Sequence, residues 1–366
     1  MLIKQDWNID RGLFIATLFL VGFGLVMIFN ASLPISLGRF GQPHFLFYRQ
    51  LMWTGIGFFI FFASTQVSLR LLQQKWVVYG LIILTAGLLL LVFTQTPING
   101  TRRWIHMAGV SFQPSELAKL TVIIFVAWYC ARFPDLSDRP WRHLVRVGLV
   151  IGPMMALIVR EPDLGNAMIL LAITVIMLFF AGFPLRQMIA LGLMVIPAVI
   201  GVILLSPYML ERIKTFANAA ADPLGKGYQI KQSLIAIGHS GFWGLGLGES
   251  TQKLFFLPEP HTDFIYAVVA EEAGFLGCII LAVLFGYLFL RGMRLSLKSP
   301  HPFNQVLGAG AISLILLEVL INSSMVIHLL PTKGIPLPFI SMGGTSLLIS
   351  LLAVGLVLNI SREVPE

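Results

Sequence analysis

Apolar residues in this chain gather into runs close to twenty residues long, and charged residues stand almost entirely between them. A run of that length is what a helix needs to cross a hydrocarbon core of about 30 Å. Ten such runs can be traced, over about residues 12–31, 49–65, 76–94, 114–132, 143–159, 164–181, 187–206, 263–290, 304–326 and 343–360. The pattern predicts an all-α polytopic membrane protein. It has a single transmembrane domain over residues 1–366, no inserted soluble domain, and one long loop at about 207–262 before span eight. The first run follows a short polar start, Met1 to Arg11, and is itself span-length. It reads as a retained signal anchor, not a cleaved leader.

Composition agrees and removes whole classes of function. Of the 366 residues, 57% are hydrophobic and only 11% charged, where a soluble domain carries about a quarter charged. The net charge of +8 does not point to nucleic acid, because the basic residues are scattered over the loops between spans. They serve orientation instead. An even number of spans places both termini on one side. If that side is cytoplasmic, inside segments hold thirteen Lys and Arg residues against six in the short outside loops. Five more lie in the long loop, which counts little toward the rule. Cytoplasmic termini are expected. Cys130 and Cys278 lie in or beside apolar spans far apart in sequence and read as small buried hydrophobes, not a disulfide or a metal site.

Four outward stretches concentrate the chemistry. The first is Asn99-Gly-Thr-Arg-Arg-Trp-Ile105 followed by Phe112-Gln-Pro-Ser-Glu-Leu-Ala-Lys119. Asn-Gly makes a tight turn, Arg102 and Arg103 offer donors to an anion, and Trp104 suits the interface belt. Pro114 opens a helix on which Glu116 and Lys119 share a face inside the membrane boundary. They read either as a structural ion pair or as functional intramembrane charges. The second stretch, Arg160-Glu-Pro-Asp-Leu-Gly165, joins spans five and six, and a helix cap through Asp163 is its simplest explanation.

The third is the long loop. It offers a turn cluster at Asp222-Pro-Leu-Gly-Lys-Gly-Tyr228 and a short amphipathic helix carrying Ile230, Leu234 and Ile237. A glycine-rich run from Gly241 to Gly248 follows, whose spaced aromatic and leucine residues suggest a packed re-entrant segment. The loop ends in Leu257-Pro-Glu-Pro-His-Thr-Asp-Phe264, with Ala270-Glu-Glu-Ala-Gly274 inside span eight. Pro258 and Pro260 stiffen the approach and should hold Glu259 and His261 extended. Asp263 then reads either as an N-cap or as a base, since three titratable groups crowd one turn at a water–membrane boundary. Glu271 and Glu272, deeper in the span, require a partnered polar interior. The fourth stretch, Leu330-Pro-Thr-Lys-Gly-Ile-Pro-Leu-Pro-Phe-Ile-Ser-Met-Gly-Gly-Thr-Ser346, cannot be a continuous helix. Broken backbone at membrane depth survives only where it lines a cavity or is buried in protein. Lys333 brings a charge to it, and Ser341, Gly343 and Gly344 are candidate donors to a phosphate or sugar.

Taken together and in order, NGTRRWI with FQPSELAKL, EPDLG, FLPEPHTDF with AEEAG, and PTKGIPLPFISMGG resemble the SEDS family of cell-wall glycan polymerases, nearer its division branch than its elongation branch. Met342 stands where members usually show Tyr, and Ala217–Ala221 replaces a more polar stretch. The resemblance implies an enzyme of the cytoplasmic (inner) membrane, concentrated at the division septum, that polymerises lipid II into β-1,4 glycan on the outer side and releases undecaprenyl diphosphate. It implies a class b penicillin-binding transpeptidase and other division proteins as partners, and Asp263 as the essential carboxylate. A diphosphate leaving group calls for positive charge from Arg102, Arg103, Lys119 or Lys333. A divalent cation, magnesium or manganese, is a candidate to share that task, and no organic cofactor is expected. Lys119 is expected to line an internal groove beneath Asp263, meeting Glu116 on its own helix and Glu271 on span eight. A lipid II flippase or a division scaffold are the rival readings. The first expects signals at the midplane rather than on one side, and the second leaves the intramembrane carboxylates unexplained.

Overall fold

The computed structural model describes residues 9–97, 101–107, 110–218, 226–254 and 256–364. Lys4, the Asn99-Gly100 turn, Ala219 to Ala221 and the Asp222-to-Gly225 turn lie outside them. The chain begins with α1 (Arg11–Phe40), α2 (Phe45–Gln66), a single-turn α3 (Leu69–Leu72) and α4 (Lys75–Val92). A two-stranded hairpin, β1 (Ile105–Met107) and β2 (Val110–Phe112), pairs antiparallel with Ile105 opposite Phe112. Then come α5 (Pro114–Arg132), α6 (Pro140–Arg160), α7 (Leu164–Phe180) and α8 (Leu185–Leu205). Within the long loop lie α9 (Pro207–Ala217) and α10 (Lys226–His239), and α11 (Ile265–Leu297), α12 (Pro302–Val326) and α13 (Gly344–Ser361) complete the fold.

Among the described residues nine helices are long and apolar enough to cross a membrane, and α7 is a shorter apolar helix. Together they account for the ten runs in the sequence, and the protein is a polytopic membrane protein. Neither the hairpin nor α9, which begins at Pro207 directly after span seven, was legible. The first helix also runs to Phe40, well beyond residue 31, because Ser32, Ile35 and Ser36 remain packed inside the bundle.

The bundle is organised around α5, which is buried along nearly its whole length and touches α12, α7, α4 and α13. At the other extreme α8 contains no buried residue. The N-terminus of α1, the C-terminus of α11 and the end of α13 meet at one end of the bundle. There Asp10 caps α1 through the Leu13 amide at 2.8 Å and pairs with Arg291 at 2.7 Å. The acidic turn and the proline-rich segment meet at the opposite end.

Helix α11 is broken at Gly274, where φ is +68°. The released backbone groups find partners in the glycine-rich segment: Leu245 and Gly246 donate to the Glu271 and Glu272 carbonyls at 3.0 Å, and Phe275 and Leu276 donate to the Gly241 and Phe242 carbonyls at 3.1 Å. The two strands of backbone touch. A Cβ on Gly274 would stand 2.3 Å from the Gly244 nitrogen, and one on Gly244 would stand 2.2 Å from the Glu272 carbonyl oxygen. Unwound backbone at this depth is tolerated because another unwound segment satisfies it. The sequence pattern alone predicts an unbroken span through Gly274. Gly274→Ala should therefore cost about 3 kcal/mol or more, from the left-handed backbone and the backbone clash together. A melting curve of the purified variant in detergent checks this, with a clear fall in Tm expected.

Candidate functional site

The acidic turn is held from three directions. Glu259 adopts a left-handed φ of +50°, not the extended backbone that flanking prolines favour. What holds it there is a 2.6 Å ion pair with Arg39 at the end of α1, plus the Thr262 amide and hydroxyl donating to its carbonyl at 3.1 and 3.0 Å. His261 is buried, with Nε2 3.5 Å from Glu259. Burial holds its pKa below the ordinary histidine value, so this contact joins a neutral ring to a carboxylate. Ser341, expected to face substrate, instead donates to the Thr262 carbonyl at 2.8 Å and accepts from the Leu337 amide at 2.8 Å. With Met342 N donating to the His261 carbonyl at 2.8 Å, it stitches the proline-rich segment to the acidic turn.

Asp263 does not cap α11. The N-cap position is Phe264, and no side chain caps the helix. Its main-chain carbonyl accepts from Asn322 Nδ2 at 2.9 Å, and the same amide nitrogen donates to the Ile335 carbonyl at 2.8 Å. One asparagine on α12 thus fixes both the carboxylate's backbone and the segment facing it. The carboxylate itself lies against Gly334, where a Cβ would stand 3.2 Å from Oδ2. Burial raises its pKa to about 7; Arg212 and Arg103 pull it down, while Glu259 and Asp163 push it up.

Beside Asp263 opens a cavity of about 180 Å³. Its charged lining is Arg103, Asp163, Arg212 and Lys333, and its apolar wall includes Met168, Val199, Ile203 and Ile213. Arg103 donates to the Glu161 carbonyl at 3.1 Å and to the Pro162 carbonyl, and Arg212 donates to the Thr332 carbonyl at 3.1 Å while lying 4.8 Å from the Tyr208 ring. Neither forms an ion pair with a carboxylate among the described residues, so their charge remains available to a ligand. Glu161 is fully buried with both carboxyl oxygens unpartnered, and its pKa is pushed up to about 8 by burial and by Asp163 against the opposing Arg103. A carboxyl neutral at pH 7 leaves the charge of Arg103 unquenched. Asp163 does cap α7 through the Asn166 amide at 3.3 Å, and it also accepts from Asn166 Nδ2 at 2.9 Å and Gln113 Nε2 at 3.4 Å. The stem of Lys333 passes 3.1 Å from where a Gly165 Cβ would be, so the glycine of one motif makes room for the lysine of another. Burial lowers the pKa of Lys333, against Asp163, which raises it.

Other expected residues sit elsewhere. Lys119 is 0% exposed and does not line the cavity. It pairs with Glu116 at 2.7 Å and with Glu318 of α12, not with Glu271. Glu271 is occupied by the loop before span eight, accepting from Ser250, from the Thr251 hydroxyl at 2.9 Å and from the Thr251 amide at 3.1 Å. Neighbouring Glu272 pairs with Lys253 at 2.8 Å. The loop therefore supplies partners to both oxygens of Glu271 and to one oxygen of Glu272, and α12 supplies the second carboxylate for Lys119. Arg102 is exposed and donates to the Phe93 carbonyl at 2.7 Å, and Trp104 also lies outside the cavity lining. Among the described residues no three His, Cys, Asp or Glu side chains stand together as a metal site, and the cations at the cavity are Arg103, Arg212 and Lys333.

Arg212 was the residue missed. It lies in a loop helix whose sequence resembles an ordinary amphipathic turn, and only the fold brings it over the cavity. Glu318, an acid within the apolar run 304–326, carries the same sequence signal as Lys119. Because the Arg212 charge favours ionised Asp263, Arg212→Gln should move the Asp263 titration midpoint upward from about 7. Difference infrared spectroscopy of the carboxyl band, with Asp263→Asn assigning the signal, reads this shift.

The family model described as "Cell cycle protein", covering FtsW, RodA and SpoVE, matches residues 11–366. The chain is 38% identical over 357 residues to a probable peptidoglycan glycosyltransferase FtsW of Trichlorobacter lovleyi, covering 96% of this chain and 93% of the relative. It is 37% identical over 359 residues to the stage V sporulation protein E of Bacillus subtilis, covering 96% and 97%. Among solved structures, a chain of a peptidoglycan synthase complex described as coordinating polymerization and crosslinking superposes with a TM-score of 0.78, at 31% identity and 98% coverage of both chains. The rod shape determining protein RodA of Thermus thermophilus gives 0.73, at 26% identity and 99% and 100% coverage.

Proposed function

This chain belongs to the FtsW/RodA/SpoVE family of cell cycle proteins, and from that premise we propose that it is a peptidoglycan glycosyltransferase acting in septal cell division. It joins lipid II disaccharides by β-1,4 linkage and releases undecaprenyl diphosphate. The observation that carries this reading is a carboxylate with a pKa of about 7, Asp263, standing beside a cavity lined by three cations and an apolar wall.

The chemistry follows from the arrangement. Asp263 takes the proton of the acceptor sugar hydroxyl, whose oxygen forms a bond to the anomeric carbon of the donor. The bond from that carbon to the diphosphate oxygen breaks, and the leaving group carries its electrons away as an anion. Arg103, Arg212 and Lys333 meet that developing charge. Met168, Val199, Ile203 and Ile213 give the prenyl chain an apolar surface beside the diphosphate. One displacement inverts the anomeric centre and needs a single base with no nucleophilic side chain. A base with a pKa near 7 suits work at neutral pH, because it is partly ionised yet still basic enough to accept a proton. The acidic turn faces the extracytoplasmic side, with both termini in the cytoplasm, on the distribution of Lys and Arg across the short loops.

Asp263→Asn keeps shape and hydrogen-bonding capacity while removing basicity. With labelled lipid II, polymerisation by this variant should fall by about 10²- to 10⁴-fold, and near wild-type strand synthesis would contradict the assignment. The partner is a single-span class b penicillin-binding transpeptidase, as the crosslinking activity of the similar synthase complex suggests. Adding the cognate transpeptidase to the purified chain should raise the rate of glycan formation, and an unchanged rate would count against the pairing.

A further inference from the structure

At the end of the bundle opposite the acidic turn, α4, α5 and α6 leave a groove of about 530 Å³ between them. Its rim is basic: Lys75 at the start of α4, Arg132 at the end of α5, and Arg146 in the second turn of α6. Its floor is aromatic and aliphatic, with Tyr79, Phe125, Trp128 and Leu149. The floor is ordered by stacking, Tyr79 lying edge-on to Trp128 at 5.8 Å, and by a 2.8 Å hydrogen bond between the Tyr129 hydroxyl and His143 Nδ1.

Helix stability does not account for all three cations. Arg132 suits the last turn of α5, but Lys75 opens α4, where the macrodipole disfavours positive charge, and Arg146 lies beyond the first turn of α6. Arg132 lies 5.9 Å from the Trp128 ring, Arg146 lies 5.5 Å from the Phe133 ring, and neither they nor Lys75 form an ion pair among the described residues. The nearby carboxylates, Asp135 and Asp138, belong to the α5–α6 turn, where Asp135 accepts from Ser137 at 2.8 Å. Trp76 and Trp141, 68% and 46% exposed, mark the same level as the membrane–water boundary. The groove thus presents positive charge at headgroup height and an apolar trough leading into the bilayer.

We propose that this groove binds an anionic phospholipid, with its phosphate among Lys75, Arg132 and Arg146 and an acyl chain along Tyr79, Trp128 and Leu149. The site is separate from the Asp263 cavity and needs only the assignment of spans. On the orientation above it faces the cytoplasmic leaflet, which carries anionic lipid.

The test uses the full-length protein in detergent with phosphatidylglycerol carrying a diazirine on one acyl chain, irradiated and followed by peptide mapping. Label should appear in peptides spanning 75–79, 125–133 and 146–150, and a phosphatidylcholine probe with the same chain should label them far less. Each cation near the surface is worth about a fivefold change in binding, so Lys75→Gln/Arg132→Gln/Arg146→Gln should weaken labelling by about a hundredfold. Arg146→Gln alone, a single exposed change, should give about a fivefold loss and guards against misfolding of the triple variant. Equal labelling by phosphatidylcholine, wild-type labelling of both variants, or label confined to other helices would overturn the proposal. So would displacement of the probe by millimolar glycerol 3-phosphate, which would make the groove a pocket for a soluble phosphate and not a lipid site.

Discussion

One buried ammonium between two carboxylates positions the rest of the structure. Lys119 on α5 bonds Glu116 one turn away and Glu318 on α12, with all three side chains essentially sealed from solvent. A charge in this setting is costly unless it is paired, and removing one partner of such a cluster costs about 3–5 kcal/mol. The cluster therefore fixes how α5 and α12 register against one another. Four residues beyond Glu318, on the same face of α12, Asn322 bonds the Asp263 carbonyl and the Ile335 carbonyl. From the other end of the chain of contacts, Gln113 and Ser115 at the start of α5 reach Asp163 and Asn166 on α7. The two helices joined by the cluster thus hold the carboxylate of the site on one side and the cation-lined cavity on the other.

Around this frame, two breaks in regular structure are each held by another segment. The interruption of α11 at Gly274 is satisfied by the Gly241–Gly246 segment, and the proline-rich stretch after α12 is tied down by Ser341, Asn322 and Met342. Gly24 of α1 shows how closely that stretch is packed, since a Cβ there would stand 2.2 Å from the Phe339 carbonyl oxygen. Such segments place main chain and short side chains where continuous helices cannot, and they bring four sequence motifs to one end of the bundle. The apolar side of the cavity comes from α7, α8 and α9, so one opening presents both an apolar and a cationic surface.

The spans were legible because their signal is additive: twenty apolar residues outweigh any single exception. The acidic turn, Lys333 and the motif glycines were legible too, because prolines, glycines and charges at a membrane boundary have few structural uses. What escaped were relations across the fold. Nothing in the spacing says that Lys119 should choose Glu318 over Glu271, since both acids lie on spans at comparable depth. The deciding fact is that the loop from Ser250 to Gln252 satisfies Glu271. Glu259 was expected extended, yet its backbone is left-handed, with Thr262 bonding its carbonyl and Arg39, on a helix two hundred residues earlier, pairing with its side chain. Ser341 resembled a ligand donor in sequence and is a stitch between loops in three dimensions. Arg212 required the long loop to fold back over the cavity, which no local pattern announces.

The Lys119–Glu318 contact sets the geometry on which the Asp263 site depends. A double-mutant cycle over Lys119→Met and Glu318→Gln, read by both melting and lipid II polymerisation, tests it most directly. Non-additivity of about 1–3 kcal/mol in stability is expected, with a parallel departure from additivity in the logarithm of the polymerisation rate. Effects that add to within about 0.5 kcal/mol in stability, with independent effects on rate, would contradict it.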